Sequence, residues 1–385
     1  MSDATVGDVI AALEAAYPPA LAESWDAVGL VCGDPDEPVQ RVLIAVDPVA
    51  ETVEEAVEAG AQLLVTHHPL LLRGVHGVPA GDPKGVLVHR LIRAGAGLFC
   101  AHTNADSADP GVSDALAAAL GVTVTGPLAP RPVEALDTLA VAVPVRDADR
   151  VLDALAESGA GRVGAYSHAA WTAEGTGQFR PLPGAQPVAG RVGELARLAE
   201  TRIEMVLPRH RRRAVLEALH VAHPYQQPAY DLHEQVELPA STGLGRVGEL
   251  PSVQSLREFT ARVASALPST SWGVRAAGDP DRPIRRVAVC GGAGDSLLAT
   301  VGSAGVDAYV TSDLRHHPVS EHLAAGGPAL VDVAHWAGEW PWCAQAASVI
   351  VEALAGTVDV SVSHCRTDPW TVGAAEFEGG PRGER

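Results

Sequence analysis

The sequence predicts an α/β fold built in two halves and interrupted by a ferredoxin-like α+β insert. Buried strand patterns alternate with helical patterns over residues 1–128 and again over residues 284–385. This alternation indicates parallel strands covered by helices, and we expect the two halves to share one sheet. Residues 130–283 differ, because their strand–helix–strand pieces are typical of a ferredoxin-like module. A chain of 385 residues is long for a single core, so more than one domain is expected.

The N-terminal half begins with a helix predicted over residues 4–16, where Val6, Ile10 and Leu13 fall at helical spacing. The elements predicted after it are strand 41–47, helix 49–60, strand 62–66, helix 85–94, strand 97–101 and helix 111–120. A segment rich in glycine and proline, residues 126–132, then interrupts the pattern.

The C-terminal half repeats this order of elements. The predicted elements are strand 286–290, helix 295–304, strand 308–311, helix 314–325, strand 329–333, helix 342–355 and strand 358–363. For the insert we predict strand 139–144, helix 147–158, strand 202–207 and helix 211–220. An insert between two halves is physically reasonable when its two ends lie close together on the surface.

Charge and hydropathy exclude several classes of protein. The net charge of −19 argues against a nucleic-acid partner, because a general nucleic-acid binder needs a basic face. We interpret the one basic cluster, residues 209–213, as a solvated turn rather than an anion site. The sequence contains no run of about 18 uncharged apolar residues that would predict a membrane span. The acidic N-terminus is unlike a signal peptide, so we expect a cytoplasmic protein.

Cysteine and lysine usage narrows the chemistry further. The five cysteines are widely separated, which indicates reduced thiols and excludes a thiolate zinc finger. Lys84 is the only lysine, and no Gly-Lys-Ser/Thr phosphate loop occurs. The sequence also lacks a Gly-x-Ser-x-Gly nucleophile motif. A phosphate group would therefore have to be held by arginine, backbone amides or metal.

Residue types that ligate metals follow three of the predicted strands. They are His67 and His68, then His102 and Asp106, then His335 and Glu339. Imidazoles suit borderline metal ions and carboxylates can bridge two of them, so the mixture fits a pair of divalent ions. We expect the side chains to meet where the carboxyl ends of the strands converge. The alternative interpretation is that Glu339 caps a helix beginning near Pro341 and that the histidines are buried and hydrogen-bonded.

The chain resembles the Nif-three-like dinuclear-metal proteins, often labelled GTP cyclohydrolase 1 type 2 homologues. The motifs that carry the resemblance are Ser24-Trp-Asp-Ala-Val-Gly-Leu30, Thr66-His-His-Pro69, His102-Thr-Asn-Ala-Asp106, Ser312-Asp-Leu-Arg-His-His317, His335-Trp-Ala-Gly-Glu339 and Thr367-Asp-Pro-Trp370. The insert resembles the PII/CutA-like trimeric module of the longer members. Its motifs are Gly159-Ala-Gly-Arg-Val-Gly164, Gly175-Thr-Gly-Gln-Phe-Arg-Pro181 and His223-Pro-Tyr-Gln-Gln-Pro-Ala-Tyr-Asp231. The chain departs from the family pattern at Ala27, where Asn is usual, and at Gln226 and Gln227, where acids are usual.

The resemblance implies a ligand set for two divalent metal ions, which could be zinc, iron or manganese. The implied ligands are His67, His68, Asp106, His335 and Glu339. His102 is interpreted as a residue that orients a ligand or a water, and His317 as a similar or substrate-facing residue; both are candidate proton shuttles. The resemblance also implies a homo-oligomer, a hexameric ring with the metal sites facing its interior.

Two functions fit these expectations. The first is a metal-dependent hydrolase of a nucleotide-like or other small anionic substrate, in which two ions about 3.5–4 Å apart activate a water. The second is a non-enzymatic metal-handling or regulatory scaffold.

Around the site, residues 291–294 form either an anion-binding loop or a tight turn. Several tryptophans either wall a pocket or fill the core: Trp25, Trp336, Trp340, Trp342 and Trp370.

Overall fold

The computed structural model describes residues 4–236 and 238–373, and the chain divides into two units. The first unit comprises the residues up to Arg131 together with those from Ser241 onward, and the second is Pro132–Ala240. Among the described residues, no helix is long and apolar enough to span a membrane.

The helices and strands follow one another along three segments of the chain. The first segment contains α1 (Val6–Ala16), β1 (Gly29–Cys32), β2 (Arg41–Ala45), α2 (Ala50–Glu58), β3 (Leu63–Thr66), α3 (Pro83–Arg93), β4 (Gly97–Cys100), α4 (Thr103–Ser107), α5 (Val112–Ala119) and β5 (Thr123–Pro130). The second contains β6 (Leu136–Pro144), α6 (Ala148–Glu157), β7 (Trp171–Phe179), β8 (Ala196–Pro208), α7 (Arg212–Ala222) and β9 (Tyr230–Glu234). The third contains β10 (Gly243–Ser255), α8 (Leu256–Ala266), β11 (Val274–Ala277), β12 (Pro283–Ala293), α9 (Leu298–Ser303), β13 (Ala308–Ser312), α10 (His316–Ala324), β14 (Ala329–Val333), α11 (His335–Ala353) and β15 (Asp359–Val362).

The first unit contains two sheets, which corrects the expectation of one shared sheet. One sheet has the order β1-β4-β3-β2-β15, and the other has the order β11-β14-β13-β12-β10-β5. Within them β15, β2, β3 and β4 run parallel, as do β12, β13 and β14. Each half of the chain contributes one strand to the sheet that the other half mainly forms. Strand β15, from the C-terminal half, pairs with β2, and β5, from the N-terminal half, pairs with β10. Both sheets therefore contain parallel strands, as the alternation of strand and helix patterns predicted.

Helix α11 joins the two sheets, because it packs against β2 and β15 of one and β12 and β13 of the other. Its buried residues Trp342, Ala346 and Ile350 lie in a core that includes residues of both sheets. The helix begins at His335, seven residues before the predicted start, and Pro341 lies inside it. Proline lacks an N–H and usually marks a helix start, which explains the error. Here the burial of Trp342 fixes the helix through the proline.

Two further elements differ from the sequence prediction. Helix α4 is not among the predicted elements, and it places Asp106 on a helical turn. Strand β5 lies where a glycine- and proline-rich break was expected. It tolerates Pro127 and Pro130 because it is an edge strand, where a missing N–H costs no ladder hydrogen bond.

The second unit has the element order βαββαβ and the antiparallel strand order β7-β8-β6-β9, which is a ferredoxin-like arrangement. Apolar residues of α6 and α7, such as Val151, Leu155 and Leu219, pack against strand residues such as Val141 and Ile203. The ferredoxin-like module is therefore present. Its further likeness to PII/CutA modules stays a prediction.

The C-terminal end of the insert differs from the boundary drawn from the sequence. Residues 241–283 lie in the first unit, because β10 pairs with β5 and β12, and β11 pairs with β14. Glycines at Gly243, Gly245 and Gly248 weaken the strand pattern of β10 and conceal it in the sequence.

The junctions of the insert are paired strands. In the first unit Pro130 lies opposite Gly243, and the Arg131 N–H donates to the Thr242 carbonyl at 3.0 Å. The insert therefore occupies the position of a hairpin loop between β5 and β10. We expect that replacing residues 132–241 by Asn-Gly, a favoured two-residue hairpin turn, leaves the first unit folded. Cooperative thermal unfolding of the shortened chain would support this boundary, and an unfolded product would place the insert in the core.

Candidate metal centre

The carboxyl ends of strands from both sheets deliver six candidate residues to one place. His67 and His68 follow β3, His102 and Asp106 follow β4, and His335 and Glu339 follow β14. Strands β3 and β4 belong to one sheet and β14 to the other. The sequence therefore identified the strand ends, although the cluster forms between two sheets and not at the edge of one.

Glu339 lies at the centre of the cluster. Because α11 includes both residues, His335 and Glu339 are four positions apart on one helix face. Glu339 Oε1 is 3.1 Å from His335 Nε2 and 3.4 Å from His67 Nε2. Its other oxygen, Oε2, is 3.1 Å from His68 Nε2. Both oxygens of one buried carboxylate thus face imidazole nitrogens, the arrangement expected of a bridging ligand.

Each of the four imidazoles is oriented through its Nδ1 atom. The Nδ1 partners are the Ala101 carbonyl for His67 at 2.8 Å, Asp47 for His68 at 2.7 Å, Asp26 for His102 at 2.8 Å and Asp313 for His335 at 2.6 Å. Metal-ligating histidines commonly donate their second ring N–H to a carboxylate or carbonyl, which fixes the ring and raises its basicity. In the neutral rings, Nε2 is then the atom left free to bind a cation.

Two buried atoms at the centre lack a hydrogen-bond partner, namely His67 Nε2 and Glu339 Oε2. The contact of Glu339 Oε2 with His68 is short but does not have hydrogen-bond geometry. Buried polar atoms are normally paired, so an unpaired nitrogen and an unpaired carboxylate oxygen need an explanation. A cation between them would satisfy both. The donor set, imidazole nitrogens with carboxylate oxygens, fits such an ion.

Gly292 provides the space for the central carboxylate. It has φ +67°, and a Cβ atom there would overlap Glu339 Oε1 and lie 3.1 Å from His335 Nε2. A side chain at this position would therefore be both strained and in collision with the cluster. Gly291 and Gly292, near the end of β12, lie against the Glu339 side chain.

The charge of Glu339 governs the protonation of its neighbours in the metal-free protein. Burial opposes the charged imidazolium, but Glu339 and Asp47 together raise the pKa of His68 to about 10, and Glu339 and Asp313 together raise that of His335 to about 11. Burial likewise opposes the carboxylate form of Glu339, but the imidazoles hold its pKa well below the usual range. Burial raises the pKa of Asp106 to about 6. The cluster therefore holds protons at positions that a metal ion would take.

The ligand-type atoms form two overlapping groups. His67, His68 and His102 make one, and His68, His335 and Glu339 make the other, with all ligand atoms in each group within 4.8 Å of one another. Asp106 adjoins the first group, since its Oδ1 is 3.6 Å from His67 Nε2. His102, which the sequence suggested as an orienting residue, thus stands among the ligand-type atoms.

The second candidate proton shuttle, His317, does not share this site. It is exposed on α10, and its recorded ring contact is with His316. In the part of the chain that the structure describes, its side chain forms no hydrogen bond or ion pair with the cluster. Its neighbour in the motif, Asp313, is the residue that contacts His335.

Sequence reasoning missed a supporting arginine. Arg246 of β10 is 1% exposed and donates to Asp114 Oδ1 at 2.9 Å from its Nε. Its other nitrogens donate to the carbonyls of Ala108, Gly243 and Gly245. Ala108 directly follows α4, so Arg246 anchors the segment that carries Asp106. No local pattern marks this role, because its partner Ala108 is 138 residues away.

A cavity of about 260 Å³ lies beside the cluster. Its lining includes His68 and His335, together with Trp272, Trp336 and Trp370. The Trp370 ring is 60% exposed and lies 5.7 Å from Trp272 between ring centroids. The tryptophans are therefore divided between the two expected roles: Trp370 walls the cavity, whereas Trp342 is fully buried, 5.2 Å from the His67 ring.

Comparison with known proteins shows the family of the chain. The model of the Duf34/NIF3 family (NGG1p interacting factor 3) matches residues 4–369. A protein of Mycobacterium tuberculosis named GTP cyclohydrolase 1 type 2 homolog is 56% identical over 95% of this chain and 97% of its own. A protein of the same name from Streptomyces coelicolor is 41% identical, over 96% of this chain and 95% of its own.

Solved structures agree over nearly the whole chain. A Bacillus cereus protein related to NIF3 is 34% identical and covers 96% of this chain and 99% of its own, with a TM-score of 0.66. The Staphylococcus aureus protein SA1388 is 26% identical with the same coverage and a TM-score of 0.71.

Proposed function

The chain belongs to the Duf34/NIF3 family, and from this membership and the geometry of the cluster we propose a metal-dependent hydrolase of a small anionic substrate. The proposed ligands of two divalent ions are His67, His68, Asp106, His335 and Glu339. One observation carries the proposal: oriented imidazoles surround a buried carboxylate with an unpaired oxygen, directly beside a cavity. A homohexameric assembly stays a prediction.

The nature of the substrate follows from the cavity and from the relatives. A substrate anion would approach the ions at His68 and His335, where the cavity meets the cluster. The exposed Trp370 ring offers a flat surface on which a base can stack. The relatives' name, GTP cyclohydrolase 1 type 2 homolog, points in the same direction. A nucleotide-like molecule combines both features.

The ions, when bound, would supply Lewis acidity and an activated water. Glu339 and Asp106 would set the charge and spacing at the centre. His102 is suited to move a proton, because burial lowers its pKa and keeps its ring neutral at pH 7. Asp26 fixes that ring through Nδ1, so the free Nε2 faces His67 and His68.

The test is turnover of nucleotides, cyclic dinucleotides and simple phosphate esters by metal-replete protein. We expect His102→Ala to keep its metal and to lose about 10–100-fold in rate, the usual effect of a residue that acts next to the ligands. His317→Ala is the matched control and should be unchanged. Loss of one ion in His102→Ala would make His102 a ligand. A metal-replete protein that turns over nothing on this panel would favour the metal-handling scaffold instead.

Metal binding should depend on pH in a defined direction. His68 and His335 are protonated at neutral pH in the metal-free protein, since their pKa values are raised to about 10 and about 11. An ion must displace these protons, so its apparent affinity should rise with pH. At least about two protons should be released per chain at pH 7, because the pKa of His67, another proposed ligand, is raised as well. Titration calorimetry in two buffers of different ionisation enthalpy measures this number, and a value near zero would contradict it.

A further inference from the structure

A second cavity lies wholly within the insert. Its volume is about 630 Å³, a size typical of small-molecule sites. The lining includes Gly177 and Phe179 of β7, Glu200 of β8, and Tyr225 and Gln226 after α7. The metal cluster contributes none of these residues. The cavity is therefore a separate feature of the molecule.

Glu200 is the charged group among the described residues that line this cavity. It is 8% exposed, so more than nine-tenths of its surface is buried. Oε1 accepts a hydrogen bond from the Tyr225 hydroxyl at 2.7 Å, whereas Oε2 has no hydrogen-bond or ion-pair partner among the described residues. A buried carboxylate is normally paired with a cation. Among the described residues no cationic side chain lies within ion-pair distance of Glu200, and Arg146, which acts on Tyr225, is itself paired with Asp147, so a cationic ligand would complete the site.

The carboxylate is held in place by its surroundings. Gly177 gives it room, because a Cβ atom at that position would overlap Glu200 Oε2. Tyr225 is fixed in turn, since its N–H donates to His223 Nδ1 at 3.0 Å and the His223 Nε2–H donates to the Ala142 carbonyl at 2.9 Å. This chain of hydrogen bonds requires a neutral His223, in agreement with the lowering of its pKa by burial. The acceptor is therefore preorganised.

The rest of the wall suits an organic cation with a flat body. The Phe179 and Tyr225 rings meet edge to face with their centroids 5.5 Å apart. Aromatic faces attract cations, and most strongly where water is excluded. The exposed amides of Gln226 and Gln227 add neutral hydrogen-bonding groups at the rim. An anionic ligand would meet the unpaired negative charge of Glu200.

We propose that this cavity binds a small organic cation, an amine or amidinium on a planar or apolar body, through Glu200 and the Phe179–Tyr225 pair. The ligand class is defined by a fixed carboxylate oxygen, Glu200 Oε2, which lies beside two aromatic rings and has no hydrogen-bond partner among the described residues. This site is independent of the proposed hydrolase activity, and its test does not depend on metal.

The probe is benzamidine, a planar amidinium, with neutral benzamide of the same shape as the matched ligand. Titration of the full-length protein, followed by ligand-observed NMR, should give a dissociation constant for benzamidine of about 1 mM or lower. Benzamide should bind at least about tenfold more weakly, because it lacks the charge that Glu200 requires. Equal affinity for the two probes, or no binding of either, would overturn the proposal.

The variant Glu200→Gln locates the site. It removes the charge while keeping an oxygen that can accept from Tyr225, so the insert should stay folded. Benzamidine should then bind no better than benzamide. Glu174→Gln is the control, because Glu174 is an exposed acid on the neighbouring strand β7 and lies outside the cavity. Unchanged benzamidine binding in Glu200→Gln would place the probe elsewhere and overturn the proposal.

Discussion

Glu339→Gln should lose metal and any hydrolytic activity together. The carboxylate is buried and contacts His67, His68 and His335, so it would contribute negative charge and ligand oxygens to a bound metal. An amide of the same size has no charge and only one oxygen. Changes beside a ligand typically cost 10–100-fold in metal affinity, so we expect more than about 100-fold for this central ligand. Metal titration with elemental analysis measures the loss.

Glu352→Gln provides the control for this change. Glu352 lies on the same helix, α11, is exposed, and is remote in sequence from the cluster. It should bind metal as the unaltered protein does. If Glu339→Gln kept full metal affinity while remaining folded, the carboxylate would be a structural group and the proposed ligand set would be wrong.

Arg246→Met should destabilise the first unit by about 3–5 kcal/mol, the usual effect of removing one partner of a buried ion pair. The change leaves the Asp114 carboxylate, which is 2.8 Å from the guanidinium, without its cationic partner. It also removes the hydrogen-bond donor of the Ala108, Gly243 and Gly245 carbonyls. Denaturant unfolding measures the free energy lost. Since Ala108 follows α4, metal affinity should fall as well through displacement of Asp106.

The control for this prediction is Arg257→Met on helix α8. Arg257 is exposed, and its side chain forms no ion pair with the described residues, so the change should alter the free energy of unfolding by no more than about 0.5 kcal/mol. Equal, small effects of the two substitutions would show that Arg246 does not anchor the α4 segment.

The ends of β3, β4 and β14 could be predicted from the sequence because the signal is local. Short apolar runs stop at His67, at His102 and at His335, and buried parallel strands have this pattern. The ferredoxin-like insert was predictable for the same reason, since its helices and strands differ in period. Pairing between strands is not local. The division into two sheets, and the exchange of β5 and β15 between the halves, therefore appear only in the structure.

The layer of residues that orients the histidines was also beyond sequence reasoning. Asp47 bonds to His68 across 21 positions and Asp26 bonds to His102 across 76. Asp47 stands just beyond β2, at the same kind of strand end as His67, and this placement was the signal available for it. The start of α11 was missed because Pro341 is locally a helix-start residue, and only the buried packing of Trp342 carries the helix past it.

The central claim is that one chain holds two divalent ions. Elemental analysis tests it most directly, on protein purified without chelator and then reconstituted separately with zinc, iron and manganese. We expect one of these metals to reach about two ions per chain at full loading, and we expect Glu339→Gln not to reach this ratio. A ratio at or below one ion per chain with all three metals would contradict a dinuclear centre.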